Sequence, residues 1–468
     1  MGRERRAVVG AAVALAVAVV ATLLIVSSDA GGTTSAGSGA VAGTSTTRPL
    51  QPPPATGRPT SFRFLSSPDF FNADIGDLST LSGWSAFVAG WHQRFPGVPV
   101  PNSWNDHQAA LVDQILGQFA AEKPDDVLVA GDTVAGHWGE DKWYVHGHKV
   151  RTDIFGPTSD RAERMAALDR AADFYFGAYE DFFADRGLRL WPAIGDHEYG
   201  DNPWSGSNPS HRLKRAAFPT IRKRFDENLV RPRIANGADV SRPAGPASRT
   251  AYATYLDPEV LLVSLDDFHP TGKAVTPRID RRQLAWVRSV LAAADRAGTD
   301  WIIVQGHLPI VPTVRVSHSS AICYRGGTRS PLWRTMVRHH VDLYLNGEVH
   351  DNSVNTVDGI TQISHGGLFA KAYTKGSTAY LVGDITGGKL SLTLKRWDIT
   401  AAQSTPRVWQ TTPKTPVLWA KTLSAKPRTI GTMTVTKNRR ILSQRGLLRE
   451  YRGAQRCGFR DGRPHVNL

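Results

Sequence analysis

Five short turns carry the residues in this chain that could do chemistry, and each follows an apolar run. Asp69 comes after Phe62–Ser66, Asp132 lies in Ala130-Gly131-Asp132-Thr133, and Gly195-Asp196-His197-Glu198 comes after Leu188–Ile194. His307 lies in Gln305-Gly306-His307-Leu308-Pro309, and Glu348 and His350 lie in Asn346-Gly347-Glu348-Val349-His350-Asp351. Carboxylate oxygens and imidazole nitrogens are ligands for hard and borderline metal ions. The turns that leave the carboxyl ends of strands form the ridge on which open α/β sheets hold their sites. Five such turns point to a dinuclear metal centre. Two cations about 3.5–4 Å apart activate a hydroxide at neutral pH and neutralise the oxygens of a phosphoryl group. An imidazole, with a pKa near the working range, can hand a proton to the departing oxygen.

The elements that must position these turns are legible as periodicity. Asp106–Ala121 carries Leu111, Ile115, Leu116 and Phe119 at helical spacing, and Arg161–Asp185 and Ile279–Arg296 read as further amphipathic helices. Pro331–His340 reads as a shorter helix. Val127–Ala130, Leu188–Ile194, Val260–Leu265, Trp301–Gln305 and Val341–Leu345 read as short buried strands between them, which indicates an α/β fold. Ile360–Ser364, Ala379–Asp384 and Lys389–Lys395 follow without intervening helices and predict an antiparallel-edged sheet face. Trp84, Trp91 and Trp104 fall in a stretch with no clear period before the first helix; sheet-edge cover is the plain reading and a substrate groove the sharper one.

The five blocks, taken in order, resemble the calcineurin-like metallophosphoesterases, whose pattern is Asp-x-His, Gly-Asp, Gly-Asn-His-Glu/Asp, a lone His, then a closing block with two histidines. The resemblance covers roughly Ser61–Trp397. It implies a two-sheet mixed β-sandwich flanked by helices and a phosphoester substrate. It also implies two metal ions, with Asp69 and His350 on the first, Asp132 bridging, and Asp196, His307 and Glu348 on the second. His197 takes the place of the family's general acid. Three residues depart from the pattern: Phe71 stands where the first block has histidine, Asp196 where the third has asparagine, and Glu348 where the fifth has its first histidine. Phe71 cannot ligate, which leaves Asn72, Asp74 or a water to complete the first metal. Four carboxylates favour Mn or Fe, with Zn the alternative. The tyrosine that marks purple acid phosphatases is absent from Thr133-Val134-Ala135. A protein that keeps this fold with one metal or none, and only binds, is the competing reading.

The ends of the chain bear on where it works. Arg3, Arg5 and Arg6 precede Ala7–Val26, an apolar run of membrane-spanning length, so residues 1–26 read as a signal peptide or signal anchor. Residues 27–60 are a Gly/Ser/Thr/Pro-rich linker, 61–400 the catalytic domain and 401–468 a basic extension. From Lys421 to Leu468 there are twelve Lys/Arg against two Asp/Glu, so +10 of the net +14 sits there. The remaining body is near neutral, which argues against specific nucleic-acid binding. The basic segment reads as a solvated arm or as an attachment to an anionic surface. Export to the outer face of the membrane or beyond is the expected location, and Cys323 and Cys457 are the two cysteines available for a disulfide there.

Overall fold

The computed structural model describes residues 61–138, 143–145, 148–201, 211–271, 274–313, 322–368, 378–406 and 417–450. It also describes Leu50, Pro53, Val408, 459–460 and 463–464. The expected signal segment and nearly all of the linker lie outside the described residues, as do His146, His318 and Cys457. Among the described residues no helix is long and apolar enough to cross a membrane.

The strands of the two large sheets are, in chain order, β1 (Ser61–Ser66), β2 (Asp126–Ala130), β3 (Leu190–Ala193), β4 (Tyr252–Asp257), β5 (Val260–Ser264), β6 (Trp301–Gln305) and β7 (Leu343–Asn346). Then come β8 (Ser353–Val357), β9 (Ile360–Ser364), β10 (Ala379–Thr386), β11 (Lys389–Arg396), β12 (Arg428–Thr436) and β13 (Ile441–Gly446). The first sheet runs β13-β12-β11-β10-β1-β2-β3 and the second β8-β9-β7-β6-β5-β4. In the first, β1, β2 and β3 are adjacent and parallel, with Phe64 opposite Asp126 and Val127 opposite Leu190. In the second, β5, β6 and β7 repeat the arrangement, with Ile303 facing both Leu262 and Leu343. The first sheet therefore presents three carboxyl-terminal strand ends side by side and the second four, since β9 is also parallel to β7.

These central strands are apolar on both faces because both faces are covered. Side chains bridge the sheets directly: Tyr252 Oη donates to the Pro192 carbonyl at 2.7 Å and Gln305 Nε2 to the Trp191 carbonyl at 3.0 Å. Outside the first sheet lie helices Asp106–Ala121, capped by Asn105, and Arg161–Ala184, opened by an Asp160/Glu163 capping box. The second helix buries Leu168, Ala172, Tyr175, Phe176, Tyr179 and Phe183 at three- and four-residue spacing. Helix Arg281–Ala297 is capped by Asp280 and stopped by Gly298 in the left-handed conformation.

The expected helices and strands are present with ends shifted by a few residues, and three readings need correction. Trp84 and Trp91 lie on a helix, Trp84–Arg94, and Trp91 is buried in a small satellite cluster with Phe87, Phe95, Val98 and Val100. Trp104 stacks on Phe182 at 5.4 Å. Trp91 and Trp104 cover the body, while Trp84 lines a groove of about 610 Å³ with Phe87, Ile154 and Phe174. The late strands split, with β9 joining the second sheet and β10–β11 the first. Finally, the basic segment is not simply an arm, because β12 and β13 extend the first sheet, and Met433 and Val435 of β12 are buried.

Far from the strand ends, Asp342 ties β6 to β7: its carboxylate accepts from the Ile302 amide at 2.9 Å. Burial pushes this carboxyl up to about 7. With the folded value raised above the unfolded one near 3.9, its contribution is whole below about pH 4 and is lost as pH rises through about 7. Asp342→Asn keeps an acceptor without the charge. The variant should match the wild type at pH 4 and exceed its stability by roughly 1–3 kcal/mol at pH 8, read from denaturant midpoints at the two pH values.

Candidate metal centre

Every site residue expected from the sequence comes to the facing strand ends. Asp69, Asp132 and Asp196 follow β1, β2 and β3, while His307 follows β6 and Glu348 and His350 follow β7. Their ligand atoms form two groups that share Asp132, namely Asp69, Asp132 and His350, and Asp132, Asp196 and His307; a third group joins Asp196 to His197 and Asp201, and the atoms of each group lie within 4.8 Å of one another. His307 Nε2 lies 3.4 Å from Asp132 Oδ2, 3.2 Å from Asp196 Oδ1 and 3.5 Å from Glu348 Oε2. His350 Nε2 lies 3.6 Å from Asp69 Oδ1.

The turns are built to hold these atoms. Among the described residues, eleven other than glycine have positive φ, and Asp69, Asn72, Asp132, Asp201, Glu348 and His350 are six of them. Backbone strain of this kind concentrates where the surrounding structure over-determines a functional geometry. Gly131, at φ +88°, lets the His307 ring close over the turn; a Cβ there would meet His307 Nδ1 at 2.6 Å. That Nδ1 is 2.9 Å from the Ala130 carbonyl, which fixes the ring so that Nε2 faces the carboxylates.

Glu198 is the carboxylate of the third block that does not face the ligands. It accepts from the amides of Asp132 at 3.1 Å, Thr133 at 2.7 Å and Gly195 at 2.7 Å, and from Thr133 Oγ1 at 2.8 Å, so it laces two ligand turns together. Asp74 does the same for the next loop, accepting from the Ala135 and Gly136 amides and from Trp138 Nε1 at 3.0, 3.2 and 3.1 Å. Asp74 therefore does not substitute for the missing histidine. Phe71 turns away altogether: its ring is fully buried 4.4 Å from that of Phe70 and 6.4 Å from that of Tyr179. Asn72 is the residue that faces the site, with Nδ2 3.3 Å from Asp132 Oδ2.

His197 stands at the rim. Its amide donates to Asp132 Oδ1 at 3.0 Å, its Nδ1 lies 2.9 Å from the Ala135 carbonyl, and its Nε2 lies 4.0 Å from Asp132 Oδ2 and 3.7 Å from Asp201 Oδ1. His137 Nε2 reaches the other oxygen of Asp201 at 3.7 Å. His365 is packed against Ser66 at 3.1 Å, and burial alone pulls its imidazole down to about 3, so it stays neutral there.

Two carboxylates escaped the sequence reading. Asp201 has no strand before it to draw attention. Asp267 does: it follows β5 as the ligands follow their strands, and its Oδ2 accepts from the Leu308 amide at 3.2 Å beside His307. The rule that picked out the five blocks would have found it.

The charge balance decides what the site can hold. Burial raises Asp69 to about 8 and Asp132 well above the carboxylate range, with neighbouring acids adding to the rise and His307 opposing it. Burial lowers the His307 pKa, but the surrounding carboxylates outweigh it and hold the ring well above its ordinary value. Two imidazoles, His307 and His350, cannot balance four buried carboxylates, and two dications can. Asp69 Oδ2 and Asn72 Oδ1 are buried without a hydrogen-bond partner among the described residues, as atoms intended for a cation would be. The donor set thus fits a pair of hard metal ions.

The family description "Calcineurin-like phosphoesterase" matches residues 73–352. The chain belongs to the calcineurin-like phosphoesterase family. It is accordingly a metal-dependent hydrolase of phosphoric esters, and the family implies a dinuclear divalent centre. No curated protein matches the chain. Among solved structures it is similar to a dimetal phosphatase from Danio rerio, with 14% identity, 71% of this chain and 95% of that one covered and a TM-score of 0.39. It is also similar to PhoD, with 13% identity, coverage of 83% and 73% and a TM-score of 0.46. A third is GAP50, the anchor in the inner membrane complex of Plasmodium, with 12% identity, coverage of 72% and 84% and a TM-score of 0.36.

Glu198→Ala leaves three buried amides of the ligand turns without their acceptor. It should cost about 3–5 kcal/mol in the denaturant midpoint, and Glu198→Gln, which keeps one acceptor oxygen, distinctly less.

Proposed function

We propose that this chain is an exported phosphoesterase that cleaves its ester at a two-cation centre. Asp69, Asn72 and His350 would bind the first ion, Asp132 both, and Asp196, His307 and Glu348 the second. The observation that carries the reading is the pair of ligand groups meeting at Asp132. The preponderance of carboxylates favours Mn or Fe over Zn. When bound, the ions supply Lewis acidity and an activated water.

The chain's own residues do the rest. Asn72 faces the bridging carboxylate with its amide nitrogen, Nδ2 3.3 Å from Asp132 Oδ2, while its Oδ1 is buried without a hydrogen-bond partner among the described residues; turning the amide over would bring that oxygen to the place left by Phe71. Glu198 holds the Asp132 and Asp196 turns at fixed separation through the amides of Asp132 and Gly195. His197, anchored at Nδ1 by the Ala135 carbonyl, points Nε2 toward Asp132 and Asp201 at the rim and gives its proton to the departing alkoxide. Asp201 and His137 orient that ring from the solvent side. Export is supported by the apolar run Ala7–Val26 behind three arginines and by Cys323, which is disulfide-bonded, a state that persists in oxidising compartments.

Metal analysis of the purified full chain should give two ions, Mn or Fe in preference to Zn, with turnover of a chromogenic phosphomonoester. Asp132→Asn should lose both ions and the turnover, and Asn72→Ala should lose one ion. Two tightly held zinc ions would count against the metal assignment, and one ion or none without turnover against the whole reading. His197→Ala should keep the metal content and lower kcat by about 10²–10⁴ on an alkyl phosphate. On a nitrophenyl ester, whose leaving group needs no proton, it should lower kcat far less. Equal losses on the two esters would remove His197 from the acid role.

A further inference from the structure

A groove of about 850 Å³ is lined by Arg278, Arg281, Arg282, Arg288, Arg325 and His269. Two short paths join it to the ligands. The amide of Ile322 donates to Glu348 Oε1 at 3.1 Å, and Tyr324, two residues on, lines the groove. Phe268 lies with its ring 6.2 Å from that of His307, and His269 is the next residue. Two residues of extended chain span about 7 Å, so the lining of the groove starts about that far from residues that touch Glu348 and His307.

Among the described residues, the arginines of the groove lack the carboxylate partners that several other arginines of the body have. Elsewhere Arg189, Arg222, Arg224 and Arg242 each sit on a carboxylate. In the groove Arg278, Arg281, Arg282 and Arg325 form no ion pair among the described residues. The one carboxylate of the lining, Asp280, is engaged in capping the Gln283 amide at 2.7 Å. Arg281 and Arg282 are the first two residues of helix Arg281–Ala297, whose first turn has no acid, so both stand at the positive end of the helix dipole. Cations are unfavourable there, and an anion favourable. Guanidinium forks match phosphate oxygens in pairs.

We infer that this groove binds a part of the substrate bearing two or more phosphate groups, held while a separate phosphate ester lies at the metal ions. The inference rests on the phosphoesterase reading for the second half of that statement only. It narrows the substrate from any phosphate ester to one that is multiply phosphorylated.

The test uses inorganic tripolyphosphate with the full chain, its Arg281→Ala/Arg282→Ala variant and its Asp132→Asn variant. Tripolyphosphate should raise the Tm of the wild type and of Asp132→Asn, and fail to raise that of the double-arginine variant, whose own Tm without ligand should be no lower than wild type. It should also compete with the chromogenic monoester, with an inhibition constant at least tenfold weaker in the double-arginine variant. A Tm rise that survives in the double-arginine variant overturns the groove as the site. Arginine-dependent binding without competition overturns its role in holding substrate. If the wild type turns over no ester yet shows the arginine-dependent Tm rise, the phosphoesterase reading falls and the polyphosphate site stands.

Discussion

Four carboxylates buried around one imidazole are the constraint on which the rest of this structure depends. Asp69, Asp132, Asp196 and Glu348 lie at or below 2% exposure around His307, which is fully buried. Mutual repulsion and lost hydration both oppose this arrangement, and a protein chain alone has no inexpensive way to balance it. Much of the local architecture is a response. The ligand turns adopt strained backbone, His307 is fixed from behind by a carbonyl, and Glu198 and Asp74 hold the loops through backbone amides.

The split of labour between these carboxylates explains why a phenylalanine is tolerated in the first block. A histidine at position 71 would have to leave the apolar pocket that the ring now fills with Phe70 and Tyr179, or bring a polar ring into it. The chain instead places an amide one residue later, on a positive-φ turn that brings Asn72 to the bridging carboxylate. A neutral amide also adds no further negative charge to a centre that already carries four. Asp and Glu in the third and fifth blocks add two negative charges relative to neutral ligands there, and the neutral Asn72 adds none.

The strand-end ligands were legible because their signal is local: an apolar run, a small or turning residue, then an acid or histidine. The fold class was legible for the same reason, from the alternation of short buried strands with long amphipathic helices. What was not legible depended on direction. Glu198 and Asp196 are both acids in one four-residue turn, and nothing in composition says that one aims at a metal position and the other at amides. Asn72 and Asp74 looked equivalent until the amides of Ala135 and Gly136 claimed Asp74. In Arg428–Thr436 the inward positions Met433 and Val435 alternate as a strand should, yet the surrounding basic charge outweighed that pattern and concealed two strands of the first sheet. The groove arginines were similarly diluted, since residues 278–288 and Arg325 are distant in sequence and meet only through the fold.

The disposition of the ligands across both sheets has a consequence for assembly. Asp69 and His350 lie at opposite ends of the catalytic sequence, and neither of the two groups that meet at Asp132 is complete within one sheet. A partly synthesised chain, or one sheet without its partner, completes neither of them. Capture of an ion at either group is thereby coupled to completion of the fold, so the metals available where the two sheets close are the ones the site can take.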